Sequence, residues 1–138
     1  MKYLCLVYQD EKKLNALSQA ELEAVVAECS AWVEELKNEG HHVLSAALQS
    51  IRTATTLRHR AGQLAVTDGP FAETKEFLGG FTLLDARDLN EALRLASGLA
   101  ALCLGTVEVR PVLDPCGELC DPLDRKLGAA IRRNPHPV

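Results

Sequence analysis

Residues 66–81, VTDGPFAETKEFLGGF, combine a turn, charged side chains and paired glycines between two apolar runs. Asp68 before Gly69 and a proline is typical of a turn in which the carboxylate accepts a backbone N–H from Phe71 or Ala72. In that interpretation Phe71 anchors the loop in the core. In the other, the turn aims Asp68 at a pocket, where it acts as a base or holds a ligand.

A charged cluster follows the turn, formed by Glu73, Lys75 and Glu76. The cluster is either a solvated loop with a surface ion pair worth at most about 1 kcal/mol, or the polar rim of a site in which Lys75 pairs with an anion. Asp68 is therefore the candidate catalytic residue. The candidate ligand-binding residues are Gly69, Phe71, Glu73 and Lys75. The glycine pair at 79–80 permits close approach of a backbone or ligand, or simply a tight entry into a strand.

Metal and cofactor chemistry find little support in the remaining residues. His41 and His42 are adjacent on a predicted strand, so their side chains point to opposite faces and cannot easily share an ion. The chain has five cysteines, and the spacing of Cys116 and Cys120 is poor for zinc. Trp32 is predicted to belong to the core. We predict no metal, no cofactor and free thiols, as in a cytoplasmic protein.

Composition excludes several other classes of protein. A chain of 138 residues, 47% of them hydrophobic, fits one domain with its own core. The net charge of −4 argues against a nucleic-acid or membrane surface. No apolar run is long enough to span a membrane, and the first residues predict a strand and not a signal peptide.

Hydrophobic periodicity predicts the elements that must position these residues. Strands are expected at 2–8, 42–48, 80–84 and 106–112, with a hairpin formed by 53–60 and 63–67. Ser18 and Glu21 form a capping box that begins a helix ending at Gly40. Asp88 begins a second helix, which Gly98 is expected to interrupt. A tail helix begins at Asp121 with a proline in its first position, carries a narrow apolar stripe (Leu123, Leu127, Ile131), and stops at Asn134 and Pro135.

This order predicts an α+β domain with a ferredoxin-like βαβ(hairpin)βαβ sheet, two helices on one face and a C-terminal tail helix. The first strand has apolar residues on both faces: Tyr3, Cys5 and Val7 on one, Leu4, Leu6 and Tyr8 on the other. Both faces are therefore expected to be covered. A homodimer formed through the sheets covers the second face and leaves a pocket between helices and strands.

Several separated motifs resemble the DGPF branch of the YCII-related family: TDGPFAETKEFLGGF at 67–81, DLNEAL at 88–93 and VEVRPV at 107–112. The resemblance covers residues 1–113, and residues 114–138 look like an extension. It implies a dimeric α+β barrel, which agrees with the fold predicted above. The resemblance also implies that most such proteins have no assigned reaction, and that many resemble partners of bacterial extracytoplasmic-function sigma-factor genes.

Some YCII-related lyases use a histidine–aspartate pair. Counting eleven residues back from Gly40 places Cys29 at the histidine position, and counting six back from Gly105 places Leu99 at the aspartate position. The pair cannot be carried over, and whether the chain is an enzyme is left open. Three functions remain: a lyase or isomerase acting on a small acidic or aromatic compound, a non-catalytic ligand-binding or regulatory dimer, or a purely structural dimer whose tail helix docks on the second subunit.

Overall fold

The computed structural model describes residues 1–134, which form six strands, four α-helices and one short 3₁₀ turn. In chain order these are β1 (Lys2–Gln9), α1 (Glu11–Asn15), α2 (Gln19–Asn38), β2 (His42–Ala47), the 3₁₀ turn (Ile51–Thr53), β3 (Thr55–Arg60), β4 (Gln63–Asp68), β5 (Phe77–Asp85), α3 (Leu89–Leu102), β6 (Gly105–Pro111) and α4 (Pro122–Arg133).

Four strands form one antiparallel sheet in the order β2-β5-β1-β6, and β3 pairs with β4 in a separate two-stranded ribbon. Helices α2 and α3 pack against each other and against the main sheet. The predicted α+β class, the antiparallel sheet with its packed helices and the C-terminal helix are therefore confirmed.

The core lies between this sheet and the two helices. Leu84 of β5 and Cys5 of β1 are completely buried there, and Tyr3 and Val7 lie on the same side of β1. Burial raises the pKa of the Cys5 thiol to about 11, so this thiol is a packing group and not a nucleophile.

The opposite face of the sheet, which we call the open face, carries half-buried apolar side chains. Register pairs Leu4 with Leu83 and Leu6 with Phe81 across β1 and β5. Leu44 of β2 lies beside Leu83 and is 52% exposed. This face is apolar at its centre although α2 and α3 lie on the other side.

A β-bulge interrupts the pairing of β1 with β5. Val7 pairs with Gly80 and Tyr8 with Leu78, so Gly79 is an extra residue in β5. The Gly79 backbone is nevertheless hydrogen-bonded to the segment that follows β2, because its carbonyl accepts the Leu48 N–H at 2.8 Å. The bulge places Gly79 beside the end of β1, where the candidate site begins.

The predicted helix starts are present. The capping box of α2 joins the Glu21 N–H to the Ser18 hydroxyl at 3.2 Å and the Ser18 N–H to the Glu21 carboxylate at 2.7 Å. The Asp88 carboxylate accepts the Glu91 N–H at 2.9 Å, and Asp121 caps α4. Helix α4 ends at Arg133, and its predicted stop at Pro135 lies outside the described residues.

Three local expectations were wrong. Helix α3 is continuous through Gly98, and the glycine gives room to Trp32: a β-carbon there would lie 2.7 Å from the indole ring. Strand β5 begins at Phe77 and not at Gly80, since the bulge absorbs Gly79. The hairpin begins at Thr55, because the residues before it form the 3₁₀ turn.

Candidate functional site

A cleft of about 580 Å³ separates α2 from the β2-β5 half of the sheet, on the helix-covered side. We call it the main cleft. It shares Gln9, Leu14, Leu48 and Gly79 with a smaller side compartment of about 190 Å³, which extends toward α1 and the 3₁₀ turn. Ligand cavities in proteins commonly have volumes of about 300–1,000 Å³, so the main cleft is large enough for a small organic molecule.

The cleft exists because α2 is buried only near its C-terminal end. Leu36 is the single buried residue of this helix. Leu22, Val25 and Cys29 are half-buried, and all three line the main cleft. The stripe that was expected to fill the core thus forms one apolar wall of a cavity.

Trp32 forms part of the same wall and is fixed by α3. Its indole N–H donates to the Leu95 carbonyl at 3.2 Å, and its ring lies against Gly98. The side chain is half-buried and packs against the core cluster. Trp32 therefore belongs to the core, as predicted, and also presents a rigid aromatic surface to the main cleft.

Gln9 is the polar group best placed for recognition. It lies at the end of β1 and lines both the main cleft and the side compartment. Its side chain occupies the space that a β-carbon on Gly79 would need. Among residues 1–134 the Gln9 amide makes no hydrogen bond. Its donor and acceptor atoms are therefore available to a ligand.

Glu11 organises the wall of the side compartment. Its carboxylate accepts hydrogen bonds from the Ser50 hydroxyl at 3.1 Å and from the Ile51 N–H at 3.0 Å. These bonds join α1 to the start of the 3₁₀ turn and place Arg52 at the rim of the compartment. Glu11 is thus held as an acceptor, while the Arg52 guanidinium lies exposed.

Cys29 is the one thiol that lines the main cleft among residues 1–134. Burial raises its pKa, and the neighbouring Cys103 and Glu28 raise it further. The thiolate is the nucleophilic form of cysteine. Cys29 therefore remains protonated at neutral pH and acts as an apolar wall group.

The site residues predicted from residues 66–81, which we call the DGPF segment, lie outside the main cleft. Asp68, Glu73 and Lys75 are exposed, and neither they nor Gly69 and Phe71 line the main cleft or the side compartment. Their assignment to catalysis or ligand binding stays a prediction. The structure does not bring them together with the cleft residues.

Two details expected of that turn were wrong. Phe71 is 77% exposed and therefore does not anchor the loop in the core. The Asp68 carboxylate accepts no hydrogen bond from Phe71, Ala72 or any other group in residues 1–134. The ribbon supports the turn instead: the Gly69 N–H donates to the Ala54 carbonyl at 2.7 Å.

Gly69 itself has φ +98°, a left-handed conformation that glycine adopts without steric cost. Its carbonyl accepts the Thr56 hydroxyl at 2.7 Å, and the Arg58 guanidinium donates to the Phe71 carbonyl at 2.8 Å. These contacts give the Asp-Gly-Pro-Phe motif an architectural role at the base of the ribbon.

The adjacent histidines have separate partners. His41 Nδ1 lies 2.9 Å from the Asp85 carbonyl, and His42 Nε2 lies 2.9 Å from the Ser45 hydroxyl. Within residues 1–134 no three histidine, cysteine or carboxylate side chains are grouped in a way that could hold a metal ion. No helix in the same part of the chain is long and apolar enough to cross a membrane.

Sequence reasoning missed Gln9, Glu11 and Arg52 as site residues. A signal was present: the polar run at residues 9–11 directly follows an apolar strand. This run indicates a site only when Gly79 is known to lie beside Gln9. Gly79 is distant from Gln9 in the sequence and adjacent to it in the sheet.

Comparison with known proteins identifies the family. The YCII-related domain matches residues 1–115. The chain belongs to the YCII-related family. It is similar to an uncharacterized protein of Rhizobium meliloti (strain 1021), with 44% identity over 114 residues that cover 81% of this chain and 92% of that protein.

The cleft of this YCII-related protein contains both positions at which the resemblance implied a histidine–aspartate pair. Cys29 and Leu99 line the main cleft together. Burial raises the pKa of the Cys29 thiol, and Leu99 is buried. These two side chains supply no acid–base pair.

Proposed function

We propose that this YCII-related protein binds a small, mainly apolar organic molecule in the main cleft and does not transform it. The observation that carries this proposal is the cleft itself, a cavity of about 580 Å³ with apolar walls and one unpartnered amide. Pockets of this size with few convergent polar groups are typical small-molecule sites.

The walls favour an aromatic or branched ligand with one polar group. Val25, Cys29 and Trp32 provide apolar surface along α2, and Trp32 offers a ring face for stacking. Gln9 can donate to and accept from a carboxylate, amide or hydroxyl group. An acidic group that extends into the side compartment would also meet the Arg52 guanidinium.

The charged groups of the main cleft and the side compartment support binding over catalysis. Lys37 is paired with Glu34 at 2.7 Å, and Glu11 is held by two hydrogen bonds. The Cys29 thiol stays protonated. General acid–base catalysis needs a titrating group within reach of the substrate, and none of these side chains is free to act in that way.

A binding screen with a matched pair of variants tests the proposal. Wild-type protein is titrated with benzoate, phenylacetate and phenol by calorimetry, and Gln9→Leu is compared with Asp68→Asn. We expect at least one compound to bind, Gln9→Leu to weaken it about tenfold, the equivalent of about 1.4 kcal/mol, and Asp68→Asn to retain it. Loss of binding in Asp68→Asn with retention in Gln9→Leu would move the site to the DGPF loop.

Gly79→Ala provides a second test of the same site. The three atoms nearest to a methyl group there all belong to the flexible Gln9 side chain, so the amide can move at small cost in stability. We expect weaker ligand binding with a nearly unchanged melting temperature. Release of a chemically altered compound in any of these experiments would refute the non-catalytic assignment.

We further propose that the chain belongs to the DGPF branch and forms a homodimeric α+β barrel from ferredoxin-like subunits through the open face. The apolar pairs Leu4–Leu83 and Leu6–Phe81 support this assembly, because exposed apolar surface of this kind marks interaction sites. Leu6→Lys should dissociate the dimer in light scattering. Leu93→Lys, on the exposed side of α3, should not. A monomeric wild type would refute the assembly.

A further inference from the structure

Two opposite charges line the side compartment without pairing with each other. Glu11 and Arg52 both lie on its wall, and among residues 1–134 they form no ion pair. The main cleft differs, because its charged residues Lys37 and Glu34 are joined at 2.7 Å. Of these two cavities, the side compartment therefore presents a positive and a negative group that do not neutralise each other by direct contact.

The Ser50 hydroxyl holds both charged residues in place. It donates to the Glu11 carboxylate at 3.1 Å. It also accepts from the Arg52 backbone N–H at 3.3 Å and from Arg52 Nε at 3.4 Å. Glu11 and Arg52 thus flank one hydroxyl and lie near each other, although they do not touch. Hydrogen bonds within the protein set their positions, which reduces the cost of ordering them when a ligand binds.

Both residues retain bonding capacity for a ligand. A carboxylate has about four lone-pair positions, and Glu11 accepts only from the Ser50 hydroxyl and the Ile51 N–H. The terminal nitrogens of Arg52 donate to no group in residues 1–134, and the residue is exposed. An ammonium group can therefore donate to Glu11 while a neighbouring carboxylate accepts from the guanidinium of Arg52.

The connection between the two cavities indicates what the ligand carries besides these charges. The side compartment has a volume of about 190 Å³ and the main cleft one of about 580 Å³, so the compartment suits only a small head group. Leu14 and Leu48 line both cavities, and the main cleft beyond them has apolar walls that include Trp32. The ligand that fits this shape has a charged head group attached to an apolar side chain.

We infer that the ligand is an α-amino acid with an aromatic or branched apolar side chain, bound as its zwitterion. Its ammonium group donates to Glu11, its carboxylate accepts from Arg52, and its side chain lies beside Trp32 in the main cleft. The inference rests on the proposed binding function and names the class of ligand. Because one carbon atom carries all three contacting groups, the site also distinguishes the two enantiomers.

Four probes that differ by one group or by handedness test the inference on the unaltered protein. L-Phenylalanine and D-phenylalanine carry both charged groups, 3-phenylpropanoate lacks the ammonium group, and 2-phenylethylamine lacks the carboxylate. The probes are titrated into wild-type protein by calorimetry at neutral pH. A hydrogen bond between charged groups is worth enough to change affinity by about tenfold or more. We therefore expect one phenylalanine enantiomer to bind about tenfold more tightly than each of the other three probes.

Two variants connect each charged group of the ligand to its residue. In Glu11→Gln, the preferred enantiomer should bind no better than 3-phenylpropanoate, because the ammonium group has lost its partner. In Arg52→Gln, it should bind no better than 2-phenylethylamine. Glu23→Gln and Arg94→Gln make the same changes at exposed positions that line neither cavity, and both should keep the wild-type preference. Circular dichroism verifies folding, and the wild-type titrations remain decisive if Glu11→Gln unfolds.

The outcomes separate this inference from the proposed function. If 3-phenylpropanoate binds as tightly as the better enantiomer, the inference is overturned and the cleft remains a site for an organic acid. Equal binding of the two enantiomers, or a preference that survives in both Glu11→Gln and Arg52→Gln, also overturns it. Binding of phenol or benzoate without binding of phenylalanine overturns the amino acid alone. Absence of binding by every one of these compounds overturns the proposed function as well.

Discussion

Gly98 lies where α3 passes Trp32, and a β-carbon there would sit 2.7 Å from ring atoms Cδ1 and Nε1. Helix propensity alone predicts that Gly98→Ala stabilises the protein by about 1 kcal/mol. Overpacking against the ring costs roughly 1–3 kcal/mol. Displacing the ring also breaks its 3.2 Å hydrogen bond to the Leu95 carbonyl, worth about 0.5–1.5 kcal/mol. The sum is a net destabilisation of about 2 kcal/mol.

Urea unfolding followed by circular dichroism measures this free energy, and fluorescence reports the ring directly because Trp32 is the only tryptophan in the chain. The control is the same change in a Trp32→Leu background. There the methyl group meets no ring, so Gly98→Ala should stabilise by about 1 kcal/mol. The two effects differ in sign, which gives a coupling energy of about 3 kcal/mol between the positions.

A stabilising Gly98→Ala in the wild-type background, with unchanged tryptophan emission, would refute the reasoning. It would mean that the methyl group fits beside the ring and that α3 does not position Trp32. In that case the aromatic wall of the main cleft would not depend on the contact between the two helices.

Three further changes test the core, a cap and an ion pair. Leu84→Ala should lower the unfolding free energy by about 2–5 kcal/mol in urea titration, because the side chain is fully buried. Ser18→Ala should cost about 1 kcal/mol in the same assay. Hydrogen bonds from Arg87 lower the pKa of the Glu91 carboxyl from 4.5 to about 2. Its stabilisation is present above pH 4.5 and is lost toward pH 2, so the difference in melting temperature between wild type and Glu91→Gln should vanish there; a constant difference would contradict it.

Helix starts were predictable because each cap acts over three residues. Ser18 and Glu21 bond to each other's backbone N–H, so the pattern in sequence contains the whole interaction. The role of Gly98 was not predictable in this way. Its cost to a helix is local, but its benefit depends on Trp32, which only the packing of α2 on α3 brings near.

The sequence predicts one wall of the cleft but not the open space beside it. The apolar stripe of α2 indicates a buried face, yet the exposure of Val26, at 56%, depends on how far the helix stands from the sheet. The DGPF segment was predicted as a site because its charged residues stand out in the sequence. Its residues surround the base of the ribbon, whereas the unpartnered amide of Gln9 lies in the cleft. Unremarkable residue types can form a site when topology assembles them.

The extra residue Gly79 in β5 also affects which amino-acid substitutions this protein tolerates. On one side of the bulge, residues of β5 such as Leu84 alternate between the two faces of the sheet. On the other side, Phe77 and Leu78 start this alternation again. Substitutions at the mouth of the side compartment, which Phe77 and Leu78 line, therefore need not propagate into the packed layer. A chain built in this way can acquire a new ligand preference while its packed core stays as it was.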